Sequence, residues 1–200
     1  MQNKIVLVSA GFLLAVTGCG GPVDSHEMEL GSDTKGLGRP AQHCVSKAFA
    51  QPMGLPAPEK LPATQFECFN TFADAIAHAS KGAVQLPANA TPQNLKQEDE
   101  DLMVAAANII AVEYDANNFT GPTWTIQSDV TCSMGYMIGS PATPPGWDNV
   151  ISSARSYAGC NNAYHYENAN YSGASTNCFS TCSFASLLMD NQTSSIIWAP

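Results

Sequence analysis

The chain has 200 residues and a formal net charge of −9, room for one core of ordinary size plus extra segments. The acidic balance argues against a nucleic-acid partner, which calls for Lys and Arg gathered on one face. No apolar run is long enough to span a bilayer and stay there.

The N-terminus reads as a targeting segment over residues 1–18. Lys4 is a lone positive charge, and an apolar run follows from Ile5 to Val16. Small residues before a cut site complete the signal-peptide pattern. The ending Val16-Thr17-Gly18-Cys19 resembles a bacterial lipobox, in which the Cys is acylated and becomes the first mature residue. That resemblance implies an exported outer-membrane or cell-surface lipoprotein, touching the membrane only through its lipid anchor. An ordinary secretory signal, with Cys19 incidental and the protein secreted, is the alternative.

Residues 19–65 are expected to be a flexible, Pro-rich tether. Residues 20–40 are rich in Gly, Ser and Asp. Pro52, Pro56, Pro58 and Pro62 are too dense for a helix or a central strand. Residues 66–107 read as a short helical segment. A helix lies within 69–82, where Asn70 or Thr71 can cap the start and Phe72, Ile76 and Ala79 share one face. Lys81 suits its last turn, and Gly82 fits a left-handed stop. A second helix is expected from about Pro92 to Ala107, with Glu98–Asp101 as a solvated acidic face.

Composition changes near residue 108. All three Trp and all six Tyr lie beyond it, and aromatic residues favour pleated, half-buried surfaces. Residues 108–200 therefore read as a β-rich domain. Arg155 is its one basic residue, against Glu113, Asp115, Asp129, Asp148, Glu167 and Asp190. The domain contains an internal repeat. Tyr114-Asp115-Ala116-Asn117-Asn118-Phe119-Thr120-Gly121 aligns with Tyr166-Glu167-Asn168-Ala169-Asn170-Tyr171-Ser172-Gly173. Further on, Asp148-Asn149-Val150-Ile151-Ser152-Ser153 matches Asp190-Asn191-Gln192-Thr193-Ser194-Ser195. The first copy is the longer, and its extra residues around Ser133 to Pro145 read as a Gly- and Pro-rich loop.

These two hairpin signatures and two loop signatures, alternating in order, resemble the two Greek-key motifs of a microbial βγ-crystallin domain. The resemblance covers about residues 108–200, with one motif at 108–159 and the other at 160–200. It implies an all-β, βγ-crystallin-like double Greek-key β-sandwich, preceded by the partly helical, Pro-rich N-terminal segment. Gly121 and Gly173 would take a positive φ in the folded hairpin, and the hairpin aromatics would fill the sandwich core. Ser153 and Ser195 resemble the family residues that hydrogen-bond that hairpin.

The same resemblance implies up to two Ca²⁺ ions, each held by oxygens from both motifs. The carbonyl of Asp115 would join the second loop and that of Glu167 the first. Val150 and Gln192 would offer carbonyls, Ser152 and Ser194 hydroxyls, and Asn149 and Asn191 side-chain oxygens. Asp148 and Asp190 would be neighbours or ligands. Calcium takes six to eight oxygens, and water would complete each shell. Some members of the family have lost calcium binding, in which case the Ser residues only make turn hydrogen bonds.

Cysteine usage agrees with export. Without Cys19 there remain Cys44, Cys68, Cys132, Cys160, Cys178 and Cys182, enough for three bridges in an oxidising compartment. Many pairings are open; Cys44 with Cys68 is expected for the N-terminal part, leaving four in the β domain. Zinc is disfavoured, because no second Cys or His pair at finger spacing accompanies Cys178 and Cys182. Enzyme motifs are lacking: no Gly-x-Ser-x-Gly, no His-Glu-x-x-His and no phosphate-cradling Gly loop occurs. Among His26, His43, His78 and His165, only His165 lies in the domain, where alternation with Tyr164 and Tyr166 predicts an exposed strand position. The leading expectation is therefore a calcium-stabilised surface or secreted domain. A metalloprotease inhibitor acting on a secreted protease through the Ser133–Pro145 loop, and a structural cell-surface component, are the alternatives.

Overall fold

A computed structural model describes residues 42–55, 64–184 and 188–200. The expected signal segment, Cys19, His26 and Pro56, Pro58 and Pro62 lie outside the described residues. The N-terminal part supplies strands β1 (His43–Lys47), β2 (Phe49–Pro52) and β3 (Phe66–Phe69) and helices α1 (Phe72–Ala79) and α2 (Gln97–Ala105). The first repeat forms β4 (Ile109–Ala116), β5 (Thr120–Gln127), β6 (Tyr136–Ser140) and β7 (Ser153–Ser156). The second forms β8 (Asn162–Asn168), β9 (Ser172–Phe179), β10 (Thr181–Ser183) and β11 (Ser195–Ala199).

Two sheets result. The first has the order β10-β7-β4-β5-β1-β3, the second β2-β6-β11-β8-β9. Each repeat gives its third strand to the sheet of the other: β6 pairs with β11, and β10 pairs with β7. This exchange is the double Greek key that the resemblance implied. Between the sheets lie Trp124, Trp147 and Trp198, all fully buried, with Ile126, Ile138, Ile196 and Phe184. Trp124 meets Trp198 edge-on, with ring centroids 6.3 Å apart, the arrangement that ring quadrupoles favour.

Residues 43–52, expected within a tether, instead lengthen both sheets. β1 runs parallel to β5, and β2 runs antiparallel to β6. Cys44, Val45 and Ser46 are buried there, and the Trp124 Nε1–H donates to Ser46 Oγ at 2.8 Å. The expected loop from Ser133 to Pro145 likewise contains a strand, β6. Its Ile138 enters the core, and the Pro141 carbonyl accepts from Asn170 N at 2.7 Å.

The helices lie on the outer face of the first sheet. Phe72, Ile76 and Ala79 of α1 and Met103 of α2 pack with Val45, Val112, Tyr114 and Tyr157. Thr71 caps α1 by accepting from Asp74 N at 3.1 Å, and Gly82, at φ +82°, ends it by donating to the Ala77 carbonyl at 2.7 Å. The acidic run on α2 is only partly solvated. Asp99 caps the helix by accepting from Lys96 N at 3.1 Å, and Glu100 pairs with Arg155. Arg155 also lies over the Phe119 ring, 4.3 Å from its centroid, a contact that favours a cation on the ring face.

Among the described residues three disulfides form. Cys44 bonds Cys68, as expected, across directly opposed positions of β1 and β3. Cys132 bonds Cys160, and Cys178 bonds Cys182. The two bridges of the β domain join residues 28 and 4 apart in sequence, the first tying Cys132 of one motif to the start of the other and the second lying within the second motif.

Candidate metal centre

Both β-hairpins fold back on themselves over the loops that follow. Asn118, Phe119 and Gly121 have φ of +60°, +60° and +82°, and Asn170, Tyr171 and Gly173 have +58°, +58° and +81°. A bulky aromatic at positive φ is strained, by about 1–3 kcal/mol, so something must hold it. Ser153 Oγ accepts from Phe119 N at 3.0 Å and donates to the Ala116 carbonyl at 2.6 Å. Ser195 Oγ accepts from Tyr171 N at 3.0 Å and donates to the Asn168 carbonyl at 2.6 Å. Gly173 has a second reason to be glycine: a Cβ there would sit 2.5 Å from the Asn168 amide nitrogen.

Each hairpin aromatic rests on the Tyr of its own strand. Tyr114 and Phe119 are 5.7 Å apart, Tyr166 and Tyr171 6.0 Å. These rings lie on the outer faces of the sheets rather than in the sandwich core, which the Trp residues fill instead. Burial pushes the Tyr171 hydroxyl up to about 12.

The two loops are tied to each other and to the strands. Asn149 N donates to the Thr193 carbonyl at 3.1 Å, and Asn191 N donates to the Ile151 carbonyl at 3.0 Å. Ser152 N donates to the Tyr114 carbonyl and Ser194 N to the Tyr166 carbonyl, both at 2.9 Å. Two oxygen-rich places follow, related by the repeat. In one, Ser152 Oγ stands 3.4 Å from Asn191 Oδ1. In the other, Ser194 Oγ stands 3.5 Å from Asn149 Oδ1. Each place therefore draws a hydroxyl from one loop and an amide oxygen from the other.

The second place opens into a cleft of about 500 Å³ lined by Asp148, Asn149, Glu167, Asn168, Pro144 and Ser194. Glu167 thus joins the first loop, although one of its carboxylate oxygens also accepts from Ala174 N at 3.2 Å. Near the first place, Asp115 is buried. Asp190 Oδ1 is buried without a hydrogen-bond partner, an arrangement a cation would relieve. Val150 turns its side chain toward the core while Gln192 stays exposed, so each can offer only its backbone without rearrangement. Among the described residues no three His, Cys, Asp or Glu side chains gather as a metal cluster. The donor set is carbonyl, hydroxyl and amide oxygen with single carboxylates, which suits a hard cation and not a thiophilic one.

His165 departs from its expected exposure. It is fully buried, Nε2 lies 3.1 Å from Glu113 Oε2, and its ring meets Phe184 edge-on with centroids 4.8 Å apart. The phase of β8 is therefore the reverse of the expected one: Ala163 and His165 face the core, and Tyr164 and Tyr166 face outward. Glu113 is the missed partner. Its separation of 52 residues from His165 left no local signal.

Strand exchange between two repeats, folded hairpins locked by Ser, and paired loops occur together here. The fold is that of a βγ-crystallin domain. No protein-family profile and no curated protein matches the chain. Among solved structures it resembles an archaeal βγ-crystallin at 22% identity, covering 44% of this chain and 95% of that one, with a TM-score of 0.35. It also resembles a double mutant of a βγ-crystallin domain from Clostridium beijerinckii at 15% identity, covering 46% and 98%, with a TM-score of 0.35. A clostrillin double mutant in complex with nickel matches at 15% identity over 45% and 98%, again with a TM-score of 0.35. The aligned part is less than half of this chain, whose βγ-crystallin fold carries added strands and a helical layer.

Proposed function

We propose that this is a calcium-binding, non-enzymatic βγ-crystallin-type domain of an exported protein, and that calcium stabilises it. The observation that carries the reading is the crossed pairing of loop oxygens, Ser152 with Asn191 and Ser194 with Asn149. Two independent turns would not need to bring a hydroxyl and an amide oxygen of different loops together twice. Asp115, Val150, Gln192, Glu167, Asp148 and Asp190 lie on the same loops and hairpins and would add carbonyl or carboxylate oxygens. Three disulfides support an oxidising destination, with Cys19 as the proposed lipid-bearing residue. An inhibitory loop gains no support, because Pro144 is buried and Thr143 N donates to the Ser194 carbonyl at 2.9 Å. Residues 142–145 of that stretch wall the candidate site.

Extracellular calcium modules bind with constants on the order of 10⁻⁴–10⁻³ M. At a hundredfold excess over that constant, binding to the folded state alone adds about 2.7 kcal/mol. Thermal unfolding with millimolar calcium and with chelator, joined to titration calorimetry, tests this. The expected result is a higher melting temperature in calcium, about two ions bound, and one ion lost in S194A. Unchanged melting and no heat of binding would overturn the reading.

A further inference from the structure

We infer that the buried Glu113–His165 pair is a positioning device for both candidate calcium sites, fixing one sheet against the other directly beneath them. The inference rests on the calcium reading above and adds to it a set of residues that touch no ion.

Glu113 and His165 occupy equivalent positions in the two repeats, each one residue before the strand Tyr. Both side chains have 0% exposure, and their contact crosses the sandwich from β4 in the first sheet to β8 in the second. The hydrogen bonding is directional. His165 Nδ1 lies 3.2 Å from the Ala163 carbonyl, which can only accept, so Nδ1 carries a hydrogen. Nε2 faces Glu113 Oε2 at 3.1 Å. The His165 ring is held from a second side by Phe184, whose own N–H donates to the Ser152 carbonyl at 2.8 Å.

The geometry leads straight to the sites. The residue after Glu113, Tyr114, accepts from Ser152 N, and the residue after His165, Tyr166, accepts from Ser194 N. Ser152 and Ser194 are the hydroxyls of the two crossed oxygen pairs. Ser152 immediately precedes β7 of the first sheet, and Asn191 lies in the turn before β11 of the second. Each oxygen pair therefore bridges the two sheets, and its spacing depends on how the sheets are set. Apolar packing loses uniqueness before it loses stability. A buried hydrogen bond between defined atoms singles out one arrangement.

The test separates positioning from bulk stability. E113L/H165L replaces the pair by apolar side chains, an exchange that often preserves or raises stability. E113Q keeps a hydrogen-bonding partner for Nε2 and serves as the conservative control. Calcium titration calorimetry and thermal unfolding are run on the full chain for wild type and both variants. The expected result is that E113L/H165L melts as wild type does in chelator, yet binds calcium about tenfold or more weakly at both sites, while E113Q binds as wild type does. Loss at one site only, or unchanged affinity in folded E113L/H165L, would overturn the inference and leave the calcium reading intact. If E113L/H165L does not fold, E113Q/H165M takes its place in the same comparison, with the same outcomes deciding. No binding by wild type would overturn both readings.

Discussion

Tyr114 and Tyr166 hold the same place in two copies of one motif, and their surroundings differ. Tyr114 is fully buried under the helical layer, with Met103 and Tyr157 as neighbours. Tyr166 faces outward on the second sheet and is only half-buried. The β4 strand is buried at seven consecutive positions, whereas β8 alternates and β9 begins with four exposed residues. One supersecondary unit has thus been used once as an interior wall and once as an exterior one. The difference comes from residues 66–107, which cover the first sheet, and it teaches that the repeat specifies a hairpin without specifying what lies on it.

The largest expected break of this comparison is Tyr114→Ala against Tyr166→Ala. Removing the buried ring should cost about 3–5 kcal/mol, and removing the outward ring about 1 kcal/mol, read by denaturant unfolding in chelator. Equal costs would mean that the helical layer adds nothing to the first motif.

Ser153→Ala and Ser195→Ala form a closer pair. Each strips the bond that holds a strained aromatic, leaving one N–H and one carbonyl unpaired, at about 1–3 kcal/mol. Ser153→Ala should fall at the upper end, because its hairpin lies against Arg155 and the helical layer. Ser195→Ala should fall at the lower end, where water reaches the exposed β9 hairpin. The reverse order in unfolding experiments would contradict the interior–exterior distinction.

The smallest effects concern pH, and they should divide between the two sides of the molecule. Hydrogen bonds from Lys47 and Lys81 hold Asp129 at about 2, below its ordinary 3.8. A depressed carboxylate contributes stability above its unfolded value and loses it as pH falls, here from about 4 to 2. The pair is exposed, so the loss should be a few tenths of a kcal/mol at most, and it should vanish in D129N. Tyr171 titrates in the opposite window. Its raised value means that stability is intact below pH 10 and declines as pH rises toward 12. Y171F should lessen that decline without abolishing it, because burial also raises Tyr114 and Tyr157, and it should leave the acid limb unchanged.

Part of the motif geometry was legible from short-range rules: a positive φ calls for Gly121 and Gly173, and the repeat supplies the order. Ser153 and Ser195 bond amides 34 and 24 residues away, and only the resemblance to the βγ-crystallin family pointed to them. The N-terminal strands were not legible. β1 and β2 are five and four residues long, too short to show a period beside dense proline, and their partners lie far along the chain at β5 and β6. His165 was misread for a related reason. Two outward Tyr flank it, and aromatic bulk suggested the wrong phase for the strand. The decisive fact was a carboxylate from the other repeat. The candidate site falls between these cases: its loops were readable, while their crossing and the wall at Pro144 depend on tertiary packing.

The exchange of β6 and β10 between the sheets has a mechanical consequence. Neither repeat owns a complete sheet, so neither can be peeled away while the other stays whole. A load applied at β1 and β11 would meet β1 between β5 and β3, bridged to β3 by Cys44–Cys68 as well, and β11 between β6 and β8. Such a protein should give way under tension in a single event, behaving as one link and not as two.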